Sequence, residues 1–281
     1  MNLAEPNMTI IDTHLHLIYL DRFSYPWLDG APALQHQFTA ERYFAEAEKL
    51  GIEAALHMEV DVAESDIEAE TRFVTQVHPK VIGAIAAGRP EQANFAAQLD
   101  TLASIGGVKA IRRILHTLPD ELSQTPLFAE NVRRLASHHL TFDLCVRADQ
   151  LGIGRALVAK CPDVQFVLDH CGVPDIAGAG LDPWRAGITA IAKLPNIAAK
   201  VSGIIAYAGA DPTTEVLRPY IEHIIESFGW DRVVWGSDFP VCTLTANLTK
   251  WVGITNEVIA GTSADEKAKL LRENARRIYR I

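Results

Sequence analysis

Eight short apolar runs rich in β-branched residues punctuate this chain, at residues 10–16, 52–59, 81–87, 108–115, 140–146, 164–170, 197–203 and 232–238. Turn residues bound them, and their length is that of a buried strand rather than of a core helix. Between them lie stretches of helical periodicity or helix-forming composition, including 39–50, 64–77, 95–105, 128–138 and 217–228. Strand and helix in strict alternation predict a parallel sheet, and eight units predict an α/β fold of the closed (β/α)8 TIM-barrel type. An open doubly wound sheet alternates in the same way, but no GxGxxG follows any of the runs. A last helix is marked by Ser263 as cap, Glu266 as its capping-box partner, and an apolar face of Leu270, Leu271, Ala275 and Ile278. It is expected to close the barrel.

Length and composition narrow this picture. A chain of 281 residues suits two ordinary domains or one large barrel, and no linker, charge block or repeat divides it. The expectation is one domain over 1–281. Hydrophobic residues make up 48% and charged residues 22%, which places the chain among folded globular proteins. Lys plus Arg number 26 against 35 Asp plus Glu, a net charge of -9 that argues against a nucleic-acid partner. Cys145, Cys161, Cys171 and Cys242 form no CxxC pair and read as buried, reduced thiols. Residues 1–8 carry no basic leader followed by an apolar stretch, and no later run reaches membrane-span length. A cytoplasmic location, no membrane partner and a small-molecule substrate are therefore expected, with a homo-oligomer left open.

Candidate chemistry gathers where the predicted strands end, which in a barrel is the active-site face. The first run ends in His14 and His16, which share a face because strand side chains alternate. His57 and Glu59 end the second, Arg112, Arg113 and His116 the fourth, Arg147 the fifth, Asp169 and His170 the sixth. The seventh carries Lys200 and Ser202, and the eighth ends in Ser237 and Asp238. Polar groups there are costly to bury unless paired or functional. Arg112 and Arg113 alternate, so one of them faces inward, and Arg113 is taken as the substrate-facing one. Arg147, Lys200 and Glu59 are further substrate-binding candidates, and Trp27 in the loop after the first strand is a cover for a sugar ring.

Several segments together give a family resemblance: Ile-Asp-Thr-His-Leu-His at 11–16, Tyr-Pro-Trp-Leu at 25–28, Phe-Val-Leu-Asp-His-Cys-Gly at 166–172, Leu-Pro-Asn-Ile-Ala-Ala-Lys-Val-Ser-Gly at 194–203, Leu-Arg-Pro-Tyr at 217–220 and Trp-Gly-Ser-Asp-Phe-Pro-Val-Cys at 235–242. The chain resembles the amidohydrolase superfamily, in its branch of sugar-acid lactonases. The resemblance implies a central set of His14, His16, His170 and Asp238, with Asp238 the general base toward the attacking water. It also implies a lactonase of carbohydrate catabolism that opens an aldonolactone. One divalent ion, Zn or Mn, on His14, His16, Asp238 and His170 and metal-independent action stand as equal expectations, since the fifth run offers Arg147 where many amidohydrolases offer a histidine ligand. Alternatives are an aromatic-derived (pyrone or muconolactone) lactone hydrolase, a metal-dependent decarboxylase, and a non-catalytic sugar-acid-binding barrel. The flat, multiply charged aromatic substrates call for two or more inward-facing cations.

Overall fold

The structure is a computed structural model that describes residues 9–178 and 180–281; the leader-free reading of residues 1–8 lies outside them. Its eight strands pair in parallel and in sequence order: β1 (Ile10–Leu15), β2 (Ile52–Met58), β3 (Val81–Ala87), β4 (Val108–Ile114), β5 (Thr141–Cys145), β6 (Phe166–Leu168), β7 (Ile197–Val201) and β8 (Val233–Trp235). The seam between β8 and β1 is closed by the residues that follow β8. Asp238 N donates to His14 O at 2.9 Å, and His16 N donates to Phe239 O at 2.8 Å. This is the expected TIM barrel.

Eight helices follow the strands: α1 (Ala40–Ala47), α2 (Ile67–Val74), α3 (Phe95–Ala103), α4 (Pro126–Arg133), α5 (Leu151–Lys160), α6 (Leu181–Ile191), α7 (Thr214–Phe228) and α8 (Leu248–Val258). Where the predicted helices run longer, the extra residues form single 3-10 turns, as at Glu48–Leu50 and Arg134–His138. Large apolar side chains of the outward strand faces pack against these helices in one extensive core. The smaller, inner core takes Ile11, Leu56, Met58, Ile85, Ala110, Val167, Ala198 and Val234 from seven strands. The interior is thus filled by side chains rather than open.

The chain-terminal helical run, α9 (Ala264–Ala268), a π turn (Lys269–Glu273) and α10 (Asn274–Tyr279), starts on the predicted capping box. Ser263 N donates to Glu266 Oε2 at 2.8 Å, and Glu266 N donates to Ser263 Oγ at 3.3 Å. Ala275, Ile278 and Tyr279 join the inner core, so this run plugs the end of the barrel opposite the C-terminal strand ends. Strands β6 and β8 stop two or three residues earlier than the apolar runs. The reason is backbone geometry: His170 and Asp238 adopt φ of 52° and 55°, which takes the chain out of the ladder.

Candidate active site

The two histidines of β1 are aimed by an irregularity beneath them. The β1–β2 register shifts between Asp12 and Leu15, and the fully buried Asp12 carboxylate holds the segment in place. It accepts hydrogen bonds from His14 N at 2.9 Å, Ser237 N at 2.8 Å and Tyr43 OH at 2.6 Å. One carboxylate thereby ties the β1 end to the β8 end, and a shifted strand re-aims its side chains. His14 Nε2 and His16 Nε2 come within 3.2 Å of each other. His16 Nδ1 sits 3.1 Å from Met58 O, a bond only an Nδ1–H can make.

Asp238 and His170 complete the set. Asp238 Oδ1 lies 3.4 Å from His16 Nε2 and 3.7 Å from His14 Nε2, while its buried Oδ2 has no hydrogen-bond partner. His170 stacks obliquely on His14 with ring centroids 4.4 Å apart, and its Nδ1 lies 3.0 Å from Ser202 Oγ. All four side chains are at least nine-tenths buried. Non-glycine residues with positive φ cluster at functional sites, where the surrounding structure holds the strain. Ligand atoms of His14, His170 and Asp238 lie within 4.8 Å of one another. The His14, His16 and Asp238 atoms form a triangle with edges of 3.2, 3.4 and 3.7 Å, close to the roughly 3.4 Å between donors that bond a tetrahedral ion at about 2.1 Å. The donor set fits a divalent cation, and without one a shared proton satisfies the same contact.

Under the histidines lies a charged floor. Lys200 Nζ contacts Asp143 Oδ2 at 2.6 Å, Asp169 Oδ1 at 3.0 Å and His14 Nδ1 at 3.3 Å, and Tyr279 OH donates to Asp143 Oδ2 at 2.8 Å. Burial opposes charge on every member, yet the Lys200 ammonium holds Asp169 well below the usual carboxylate range. The two carboxylates in turn keep Lys200 protonated against the same desolvation. Burial, reinforced by the adjacent Lys200 charge, pushes His14 well below the usual imidazole value. His14 is neutral at pH 7.

The cavity above is lined by His16, Trp27, Asp61, Arg112, His116, His170, Tyr207 and Asp238, with apolar contributions from Ile18, Val60, Ile114, Pro240 and Val241. Arg112, not Arg113, faces it. Arg112 is on the parity of Ala110, an inner-core residue, and its guanidinium donates to Glu59 Oε1 at 2.7 Å and Glu59 O at 3.0 Å. Arg113 turns outward to Glu91 at 2.6 Å, which corrects the expectation placed on it. Three other substrate-binding candidates also stand away from the cavity wall. Lys200 is sealed in the floor, Glu59 serves Arg112 and accepts Asp61 N at 2.7 Å, and Arg147 ties Asp149 at 2.9 Å and the His116 carbonyl. His57 leaves the rim altogether and packs toward Glu70 of α2 at 3.6 Å. Trp27 does line the cavity, pinned by its Nε1–H to Val60 O at 2.7 Å.

Asp143 was not singled out as a site residue, although its signal is present: β5 reads Thr-Phe-Asp-Leu-Cys, polar and apolar in alternation, with the apolar members in the outer core. Asp61 and Tyr207 lie in loops beyond the strands, where no periodicity marks them. Gly203 carries a sharper constraint. At φ +69° it passes under His170, and a Cβ there would stand 2.3 Å from His170 Nδ1 and 2.6 Å from Cγ. Gly203→Ala is therefore expected to displace the imidazole and lower kcat/KM about 10- to 100-fold. Gly209→Ala, at φ +82° with nothing within 4 Å of the new Cβ, carries the backbone cost alone, and initial rates of the two variants separate the effects.

Buried imidazoles around a carboxylate with one unpartnered oxygen, at the C-terminal strand ends of a (β/α)8 barrel, have the makings of a hydrolase that activates water. The sequence agrees on the class: the amidohydrolase family profile matches residues 11–281, and the chain belongs to that family. An L-fucono-1,5-lactonase of Burkholderia multivorans is 26% identical over 96% of both chains, and an uncharacterized protein of Sinorhizobium fredii is 27% identical over 98% of this chain and 99% of its own. A crystal structure of an amidohydrolase from Burkholderia multivorans with bound Zn superposes with a TM-score of 0.89, at 22% identity, over 97% of this chain and 99% of that one. Among the described residues no helix is long and apolar enough to cross a membrane.

Proposed function

We propose that this protein hydrolyses an uncharged, polyhydroxylated sugar-acid lactone. The observation that carries this reading is the charge of the cavity wall. Among the described residues that wall offers one cation, Arg112, already engaged by Glu59, against the carboxylates of Asp61, which Arg89 meets at 3.4 Å from behind, and Asp238. A pyrone dicarboxylate or sulfonated muconolactone would meet repulsion there without a second cation to offset it. Hydroxyl groups, which donate to carboxylates, are the better match, and the likeness to the fuconolactonase supports the same class. Burial pushes Asp61 up from the usual carboxylate value, with the Glu59 charge reinforcing the shift.

In this reading Asp238 accepts a proton from the attacking water, its free Oδ2 being the oxygen available to do so. Arg112, which lines the cavity and whose Nη1 lies 3.4 Å from His14 Nε2, holds the oxygen on which charge develops. The proton then passes from Asp238 to the leaving alkoxide, which restores the carboxylate, and His170 orients the ring or relays that proton. A binding barrel without catalysis does not require a carboxylate with a free, buried oxygen such as Asp238 Oδ2. His14, His16, Asp238 and His170 would hold a divalent ion, which when bound polarises a carbonyl and acidifies water.

The test is proton release from a panel of aldonolactones, pyrone dicarboxylates and muconolactones, with and without prior chelation. Uncharged aldonolactones are expected to exceed the charged lactones at least 100-fold in kcat/KM. The reverse order would sink the proposal, and rates that survive full chelation exclude an essential exchangeable metal.

A further inference from the structure

One pair at the cavity wall has no part in that scheme. His116, two residues beyond β4, lines the cavity, and its Nδ1 lies 3.1 Å from Cys145 Sγ. Cys145 ends β5 on the same inward parity as Thr141 and Asp143, and it is fully buried behind the ring. The loop is pinned from its other side as well, since the Arg147 guanidinium donates to the His116 carbonyl. The imidazole is thus fixed in position and orientation, with Nδ1 turned into the protein and Nε2, on the opposite side of the ring, left for the cavity.

The proton on this ring follows from donor and acceptor chemistry. Burial pushes the Cys145 thiol up, out of reach of ionisation at neutral pH. Burial also pulls His116 down to about 4, with His170, Arg112 and Arg147 adding to the effect. Both groups are therefore neutral. A thiol S–H is a weak donor and its sulfur a weak acceptor, and the buried Cys145 thiol facing the ring nitrogen is assigned as the donor. The lone pair is then on Nδ1 and the hydrogen on Nε2.

We propose that His116 is a substrate-binding residue, a neutral imidazole presenting Nε2–H to an oxygen acceptor of the substrate, and that Cys145 is the positioning residue that holds it in that tautomer. The cavity is rich in acceptors through Asp61 and Asp238, so a sugar-like ligand needs donors for its own oxygens. His116 supplies one that adds no charge. The identity of the substrate rests on the lactonase reading above; the tautomer does not.

Two measurements on the full chain test the proposal. In 15N-histidine NMR, with the His116 resonances assigned by their loss in His116→Gln, the wild type is expected to show the Nε2–H form at pH 7. Cys145→Ala should move the ring toward a mixture of tautomers, and Cys145→Ser, which keeps a proton donor there, should restore most of the wild-type signal. In steady-state kinetics with the preferred lactone, His116→Ala is expected to raise KM about three- to tenfold with kcat little changed, the worth of one neutral hydrogen bond. Cys145→Ala should raise KM less, and should add nothing on top of His116→Ala. An Nδ1–H tautomer in the wild type, or an unchanged KM in His116→Ala, overturns the proposal. If no lactone is turned over, the functional reading fails and the NMR result still decides what Cys145 does to His116.

Discussion

Asp238→Asn is expected to lower kcat by about 10²- to 10⁴-fold, the usual contribution of a positioned general base, while leaving the thermal transition almost unmoved. The substitution is isosteric, and the backbone bond from residue 238 N to His14 O does not depend on the side chain. Asparagine also tolerates the positive φ of 55° better than most residues. The amide oxygen can still face His16 and His14, now at 3.4 and 3.7 Å from Oδ1. What is lost is the capacity to take a proton. Initial rates beside a circular-dichroism melt separate the two readouts, and near-normal turnover in a folded variant removes Asp238 from the proposed role.

The largest stability effect is expected from Lys200→Met. It leaves Asp143 and Asp169 fully buried without their common counter-charge, and breaking a buried ion pair on one side costs about 3–5 kcal/mol. The pH dependence has a definite sign. Asp143 already stands at about 6, raised by burial against the pull of Lys200, and Asp169 is held low by the same ammonium. Removing that ammonium raises both carboxyls in the folded state and leaves the unfolded chain's carboxyls as they were. The folded variant then binds more protons than the folded wild type, so the stability gap widens as pH rises through these values and narrows on acidification. Denaturant unfolding at pH 5 and pH 7.5 measures it; a gap that is small, or larger at pH 5, refutes this account of the floor.

How much of this was legible in the sequence depended on the kind of signal. Buried parallel strands are near-continuous apolar runs, so all eight were readable, and His14, His16, His170 and Asp238 stood at their ends. Parity was harder. Arg112 and Arg113 are chemically alike, and the distinction lies in which neighbours, Ala110 or Ile111, face the inner core. Lys200 appeared as a mouth residue because a lone cation in an apolar strand suggests an open end. Its partners Asp143 and Asp169 come from two other strands, and such a cluster has no local signature. Glu59 and Arg147 were legible as polar rim residues, but each serves a neighbour, Arg112 or the His116 carbonyl, fixed only when the barrel forms.

The seam between β8 and β1 bears on how activity is acquired. His14 and Asp238 are neighbours across it, linked by main-chain hydrogen bonds and by Asp12 bridging to Ser237, although more than two hundred residues separate them. The site therefore depends on contacts of very long sequence separation, since it forms only when both ends of the sheet meet. With the seam parted, His14 and Asp238 would no longer be apposed, and the proposed water-activating site would be lost. Recovery of turnover during refolding is accordingly a clock for ring closure, lagging any signal that reports secondary structure alone.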